Sequence, residues 1–168
     1  MAVHKVIQIS STGAQSEYAG KSTSAGAGDI GEFIIADSTG KIDVSFMPNG
    51  FGADTNTLVA GEALAAGDFV YVLAGGTVMK ADATTFAKRA MGYVTASVLN
   101  GGDATVYFDD SNSALSGLTP GSTYYLSATA GLATLTAPTT ATQFVQSLGI
   151  ATSATSLHVN IGVSILRA

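Results

Sequence analysis

The sequence predicts an all-β protein: a compact β-barrel or β-sandwich of two similar meander halves, with an extended N-terminal arm. Three observations predict it. Short runs of β-branched and aromatic residues recur along the chain, Gly-containing turn signals separate them, and strong helix formers are scarce. Gly at the turns supplies positive φ at little steric cost, so the chain can reverse between runs.

The runs, in order, are Val3–Ile9, Glu32–Ala36, Asp68–Leu73, Met91–Val98, Ala104–Phe108, Thr123–Leu126, Gly149–Thr152 and Leu157–Leu166. Turn signals stand at Ala74-Gly-Gly, Asn100-Gly-Gly-Asp, Pro120-Gly and Ala130-Gly. In an extended chain Phe69, Tyr71 and Leu73 share one face, and Val70 and Val72 the other. Both faces are apolar, so this strand is expected to be buried on both sides. Two stretches carry helix-cap signals: Asp82 ahead of Ala83–Ala90, and Thr139 or Thr140 ahead of the stretch to Ser147.

The two halves are read from an internal repeat. Leu64-Ala-Ala-Gly67 and Leu118-Thr-Pro-Gly121 share a Leu-x-x-Gly frame, and each leads into an aromatic strand, Asp68-Phe-Val-Tyr-Val and Ser122-Thr-Tyr-Tyr-Leu. Ala74-Gly-Gly-Thr then matches Ala130-Gly-Leu-Ala, and Gly92-Tyr-Val-Thr-Ala-Ser matches Gly149-Ile-Ala-Thr-Ser-Ala. The repeat predicts two packed meanders burying Phe69, Tyr71, Tyr93, Tyr107, Tyr125 and Ile150.

Residues 1–57 differ from residues 58–168. Ser/Thr/Gly/Ala stretches interrupt them, and they hold few apolar clusters. They read as an arm with one or two strands that anchors or joins subunits, or alternatively as strands that complete the barrel. Within them, a β-turn at Asp37-Ser-Thr-Gly40 leads into an apolar stripe. Ile42, Val44, Phe46, Met47 and Pro48 are the candidate partner-binding residues, with Pro48 ending any strand. The stripe fits strand addition to a neighbouring subunit; it equally fits a core hairpin with Phe33–Ile35.

The 168 residues are enough for one domain, or a small domain plus an arm. Only 11% of them are charged, against about 25% in ordinary soluble domains. A surface so poor in charge is expected to be partly covered in the working state. The net charge is −5, and Lys88-Arg89 is the one adjacent basic pair. Phosphate binding needs clustered cations, so no nucleic-acid partner is expected. No membrane partner is expected either, for want of a long apolar run, and the start lacks the pattern of a signal peptide. The chain has no Cys, hence no disulfide or thiol chemistry.

Each catalytic or ligand motif has a simpler structural reading. Gly26-Ala-Gly-Asp-Ile-Gly31 fits G-x-G-x-x-G but is followed by a strand pattern, not a helix, so it reads as a loop. Asp109-Asp110-Ser111-Asn112 lacks the Gly and distal Glu of a calcium loop and reads as a polar loop. His4 and His158 have no partner at metal-ligand spacing, and no G-x-S-x-G elbow occurs. No catalytic residue, cofactor or metal is expected.

Larger segments carry a resemblance. Gly61-Glu-Ala-Leu-Ala-Ala-Gly-Asp-Phe-Val-Tyr-Val, then Val78-Met-Lys-Ala-Asp-Ala and Ala90-Met-Gly-Tyr-Val, resemble the head decoration (cement) proteins of tailed bacteriophages. Gly117-Leu-Thr-Pro-Gly-Ser-Thr-Tyr-Tyr-Leu-Ser and Gly149-Ile-Ala-Thr-Ser-Ala-Thr-Ser-Leu are similar to a module of phage virion proteins, also seen in tail-fibre-like proteins. Asp37-Ser-Thr-Gly-Lys-Ile-Asp-Val-Ser-Phe-Met-Pro resembles linkers in both classes. The resemblance implies an all-β domain, a homotrimer, bound outside a capsid through the major capsid protein. It implies no catalytic residues. The alternative it leaves is a tail- or fibre-associated protein that binds a receptor or glycan.

Overall fold

A computed structural model describes residues 5–30, 32–47 and 53–167. Val3, His4, Gly31 and Pro48, named above, lie outside the described residues. The protein is all-β: strands pair antiparallel, and among the described residues the only helices are three 3-10 turns, Gly26–Asp29, Val44–Phe46 and Phe86–Lys88. The chain divides into two units, Met1–Gly52 and Ala53–Ala168.

The first unit holds one hairpin. β1 (Lys5–Ile9) pairs with β2 (Gln15–Ala19), Lys5 opposite Ala19 and Ile9 opposite Gln15. The expected strand at Glu32–Ala36 is reduced to a parallel bridge, Lys21↔Ile34. None of the described side chains of this unit is buried.

The second unit holds two five-stranded sheets. One consists of β3 (Thr55–Val59), β4 (Phe69–Val72), β5 (Val78–Lys80), β6 (Gly92–Val94) and β7 (Asp103–Tyr107), in the order β3-β7-β6-β4-β5. The other consists of β8 (Ser111–Asn112), β9 (Thr123–Leu126), β10 (Ala133–Thr134), β12 (Ser147–Ala151) and β13 (Leu157–Val159), in the order β8-β13-β12-β9-β10. Between and after these, β11 (Phe144–Val145) pairs with β14 (Ile165–Leu166). Thr55–Thr57, read from the sequence as arm, pair with Thr105–Tyr107 and belong to the second unit.

The two orders are the same plan written twice. β3, β4, β5, β6 and β7 correspond to β8, β9, β10, β12 and β13. The amide of Gly67 donates to Val94 O, and that of Gly121 to Ala151 O, each at 2.8 Å. Val94 N donates to Asp68 O, and Ala151 N to Ser122 O, each at 3.0 Å. Gly92 and Gly149 press on matching carbonyls: a Cβ would sit 2.5 Å from Tyr107 O in one case and 2.0 Å from His158 O in the other. These are the repeat partners that the sequence aligned.

The cores differ. On one face of the first sheet, Val70, Val78, Val94, Ala104 and Val106 enclose a cluster with Ala60 and Leu64. The ends of this sheet meet at a parallel bridge, Ala60↔Val78, so it curls round that cluster, although no closed barrel forms. The opposite face, with Phe69, Tyr71 and Tyr93, packs on Tyr124, Leu126, Leu148, Ala151 and Leu157 of the second sheet. β4 is thus buried on both sides, as its two apolar faces predict. Corresponding faces do not meet. The second sheet turns toward the first the face that corresponds to Val70 and Val94.

That geometry corrects part of the predicted core. Ile150 is 51% exposed, and Tyr107 and Tyr125 are only half-buried. A register shift between Ser147 and Gly149 places Leu148 and Ala151 inside and leaves Ile150 opposite His158 on the outer face. The two expected helices are also absent. Asp82 accepts from Thr84 N at 3.0 Å, but this closes a local turn, and the Phe86–Lys88 3-10 helix that follows begins at Thr85 with no side-chain cap. The stretch ending at Ser147 instead forms β11 and enters β12.

Candidate functional site

The predicted partner-binding segment begins at the β-turn expected of Asp37-Ser-Thr-Gly40. The Asp37 carboxylate accepts from Thr39 N (2.8 Å), Thr39 Oγ1 (2.7 Å) and Lys41 N (3.0 Å). The Lys41 N–H bond, followed by those of Thr39, holds this carboxyl below its usual range. Gly40, at φ +79°, makes the reversal that a Cβ would oppose.

The next residues depart from the expected strand. Asp43 accepts from Ser45 N at 2.9 Å and caps a 3-10 turn over Val44–Phe46. Hydrogen bonding to Ser45 also keeps the Asp43 carboxyl low. An Asp two residues before a Ser offers the backbone a local partner that competes with extension. The turn breaks the alternation of Ile42, Val44 and Phe46, so they form neither a stripe nor a hairpin with Phe33–Ile35. Ile42 and Val44 remain exposed, Val44 by 73%, while Phe46 and Met47 are half-buried. Ser45 Oγ accepts from Ser24 N at 2.7 Å and ties the turn to the loop before Gly26.

Sequence reasoning missed how far this exposure extends. Ile7, Ile9, Ile30, Phe33 and Ile34 are exposed as well, Ile30 by 84%. Tyr18 stacks edge-on against Phe33 at 6.3 Å, and its hydroxyl donates to the Glu32 carboxylate. Lys21 pairs with Asp29 at 3.6 Å. Turns and polar contacts therefore shape the unit around apolar side chains that the described residues leave unburied. The signal was present in the alternating Ile7 and Ile9, but periodicity identifies an apolar face without saying whether the same chain covers it.

The other residues singled out have structural settings. Asp109 and Asp110 connect the two sheets: Asp109 O accepts from the Tyr93 hydroxyl at 3.0 Å, and Asp110 O from Val159 N at 2.8 Å. Burial pushes the Tyr93 phenol up to about 12. His158 lies on the outer face opposite Ile150. Gly26 and Gly28 lie in the Gly26–Asp29 3-10 turn, which leads into no helix. Among the described residues, no three His, Asp or Glu side chains are grouped to hold a metal ion.

The buried polar residues bind the second unit together. Asp68 pairs with Lys80 at 3.2 Å and accepts from Ala65 N at 2.8 Å. Gln146 both donates to Ala90 O and accepts from Ala90 N, each at 2.9 Å. Asn112 donates to Gly67 O at 3.0 Å. Each joins separate parts of the unit, so burial does not leave these groups unsatisfied.

Fold and surface together define an all-β protein whose first unit offers apolar groups without a buried core among its described residues. No known protein family matches the sequence, and no curated protein does.

Proposed function

We propose that the protein is a non-catalytic structural component of a phage virion, made in the host cytoplasm and bound to the outside of the capsid. It contacts the major capsid protein, bridges neighbouring capsid subunits and acts as a homotrimer. One observation carries this reading: none of the described side chains of the first unit is buried, while seven large apolar ones stand exposed. Removing such surface from water contributes roughly 25 cal/mol per Å², which favours covering it on a partner. Weak contacts suffice in a lattice, because bound copies raise the effective concentration of the next contact. The resemblance to decoration proteins supplies the capsid as the surface.

Co-sedimentation with expanded capsids tests this. The full chain is expected to pellet with them and to raise their resistance to heat, and a deletion of residues 1–50 is expected to stay folded and remain in the supernatant. A full chain that never pellets overturns the proposal.

The tail- or fibre-associated reading has one observation in its favour. Thr123, Ser147, His158 and Asn160 surround Ile150 in a depression of about 190 Å³ on the outer face of the second sheet. Polar groups around an apolar floor suit a glycan. Immunogold labelling separates the readings, with gold on heads supporting the first and gold on tails the second.

A further inference from the structure

The second unit holds another cavity. It has a volume of about 420 Å³ and is lined by Phe86, Arg89, Gln146, Ile161, Val163 and Ser164, among others. That volume is within the range of ligand sites. Its walls combine apolar and polar groups in a definite arrangement.

The Arg89 guanidinium lies over the Phe86 ring, 5.3 Å from its centroid. None of the ion pairs among the described residues involves it. Its neighbour Lys88, in contrast, is matched by Asp82 at 3.0 Å. Ser164 Oγ is buried without a hydrogen-bond partner among the described residues. Gln146 has both ends of its amide engaged by Ala90. The polar capacity that the lining side chains offer to a docking group therefore resides in the Arg89 cation. An Arg stacked on an aromatic ring keeps its outer N–H groups directed at a planar acceptor, which favours a carboxylate. At the rim Val163 is 86% exposed, and Ile165 and Leu166 extend the apolar surface.

The first unit contains the complementary chemistry. In Ile42-Asp43-Val44 a carboxylate stands between two exposed aliphatic side chains. Ser45 engages this carboxylate locally, and its two oxygens have lone pairs left for a further donor. We propose that Ile42-Asp43-Val44 of one copy docks in the Arg89–Ser164 cavity of a second copy. The Asp43 carboxylate accepts from the Arg89 guanidinium, and Ile42 and Val44 cover Phe86 and Val163. The chain supplies both halves of this contact in equal number, and neither Asp43 nor Arg89 has an ion-pair partner among the described residues. The inference rests on the self-association included in the proposed function, and it names the site of that association.

Sedimentation velocity of the full chain over a range of concentrations tests it, with capsid co-sedimentation measured on the same samples. Wild type is expected to assemble. Arg89→Glu is expected to weaken assembly at least about tenfold, and Asp43→Arg combined with Arg89→Glu to restore it. Val163→Asp provides a second disruption at a site too exposed to affect folding, and it decides the matter should Arg89→Glu fail to fold. Three results each overturn the inference: wild type that stays monomeric, assembly that neither single variant weakens, or a charge exchange that fails to rescue. A monomer whose folding stability depends on the Arg89–Asp43 pair places the contact within one chain and also overturns it. Wild type that pellets with capsids while showing any of these results leaves the capsid reading standing.

Discussion

The sheet β3–β7 and the sheet built from β8, β9, β10, β12 and β13 share strand order, turn glycines and matching hydrogen bonds, yet the first buries both of its faces and the second only one. In the first, β3 is five residues long and its continuation at Ala60 reaches Val78, so the sheet curls round its own valines. In the second, β8 has only two residues, and among the described residues no such bridge joins the ends. Its open concave side is filled by Phe69, Tyr71 and Tyr93 of the first. Shortening one edge strand thus turns a self-contained curl into a cover for its neighbour. Its released outer face then carries Thr123 and His158 where the first half has Phe69 and Tyr107.

The comparison can be broken at its paired positions. The largest effect is expected at the two close-approach glycines. Gly149→Ala meets a carbonyl at 2.0 Å and sits at φ +150°, so it suffers both clash and backbone strain. A loss of about 3 kcal/mol or more is expected from urea unfolding. Gly92→Ala suffers the clash alone and is expected to lose less. Equal losses would remove the distinction between the two sites.

Next come Tyr93 and Ile150, which occupy the same position in the repeat. Tyr93→Ala empties a buried site and is expected to cost about 3–5 kcal/mol. Ile150→Ala changes an outer face and is expected to stay within about 0.5 kcal/mol. Similar costs would mean that both faces of the second sheet are sealed.

The smallest effect concerns Asp82, which lies ahead of the Phe86–Lys88 turn. Burial raises its carboxyl, but hydrogen bonds from Thr84 and Lys88 outweigh this and hold it below its ordinary value. A depressed folded-state pKa contributes stability that is present above the unfolded value, near 3.8, and is lost as pH falls through the lower folded one. Acid titration of stability is expected to show a shallower loss for Asp82→Asn than for wild type. Identical slopes would show that the pair with Lys88 contributes nothing.

Much of this was legible in the residues. Phe69-Val-Tyr-Val announced a strand buried on both sides, Thr123–Leu126 was placed to the residue, and the Leu-x-x-Gly frames marked the duplication. β5, β8, β10 and β11 were not legible, because strands of two or three residues carry no period. The 3-10 turn at Val44–Phe46 was hidden behind an apolar alternation that the Asp43 cap overrode. In the first unit the candidate residues were visible as apolar, but their exposure was not.

The residues by themselves determined the all-β class, the turns and the repeated strand plan, because backbone propensity, glycine conformation and face alternation are local. Only the tertiary structure decided which face of each sheet is inside, where the bulge in β12 turns Ile150 outward, and that Arg89 and Ser164 share a cavity. Those outcomes depend on which surfaces exclude water together. That is a property of strands far apart in the chain, and no local pattern encodes it.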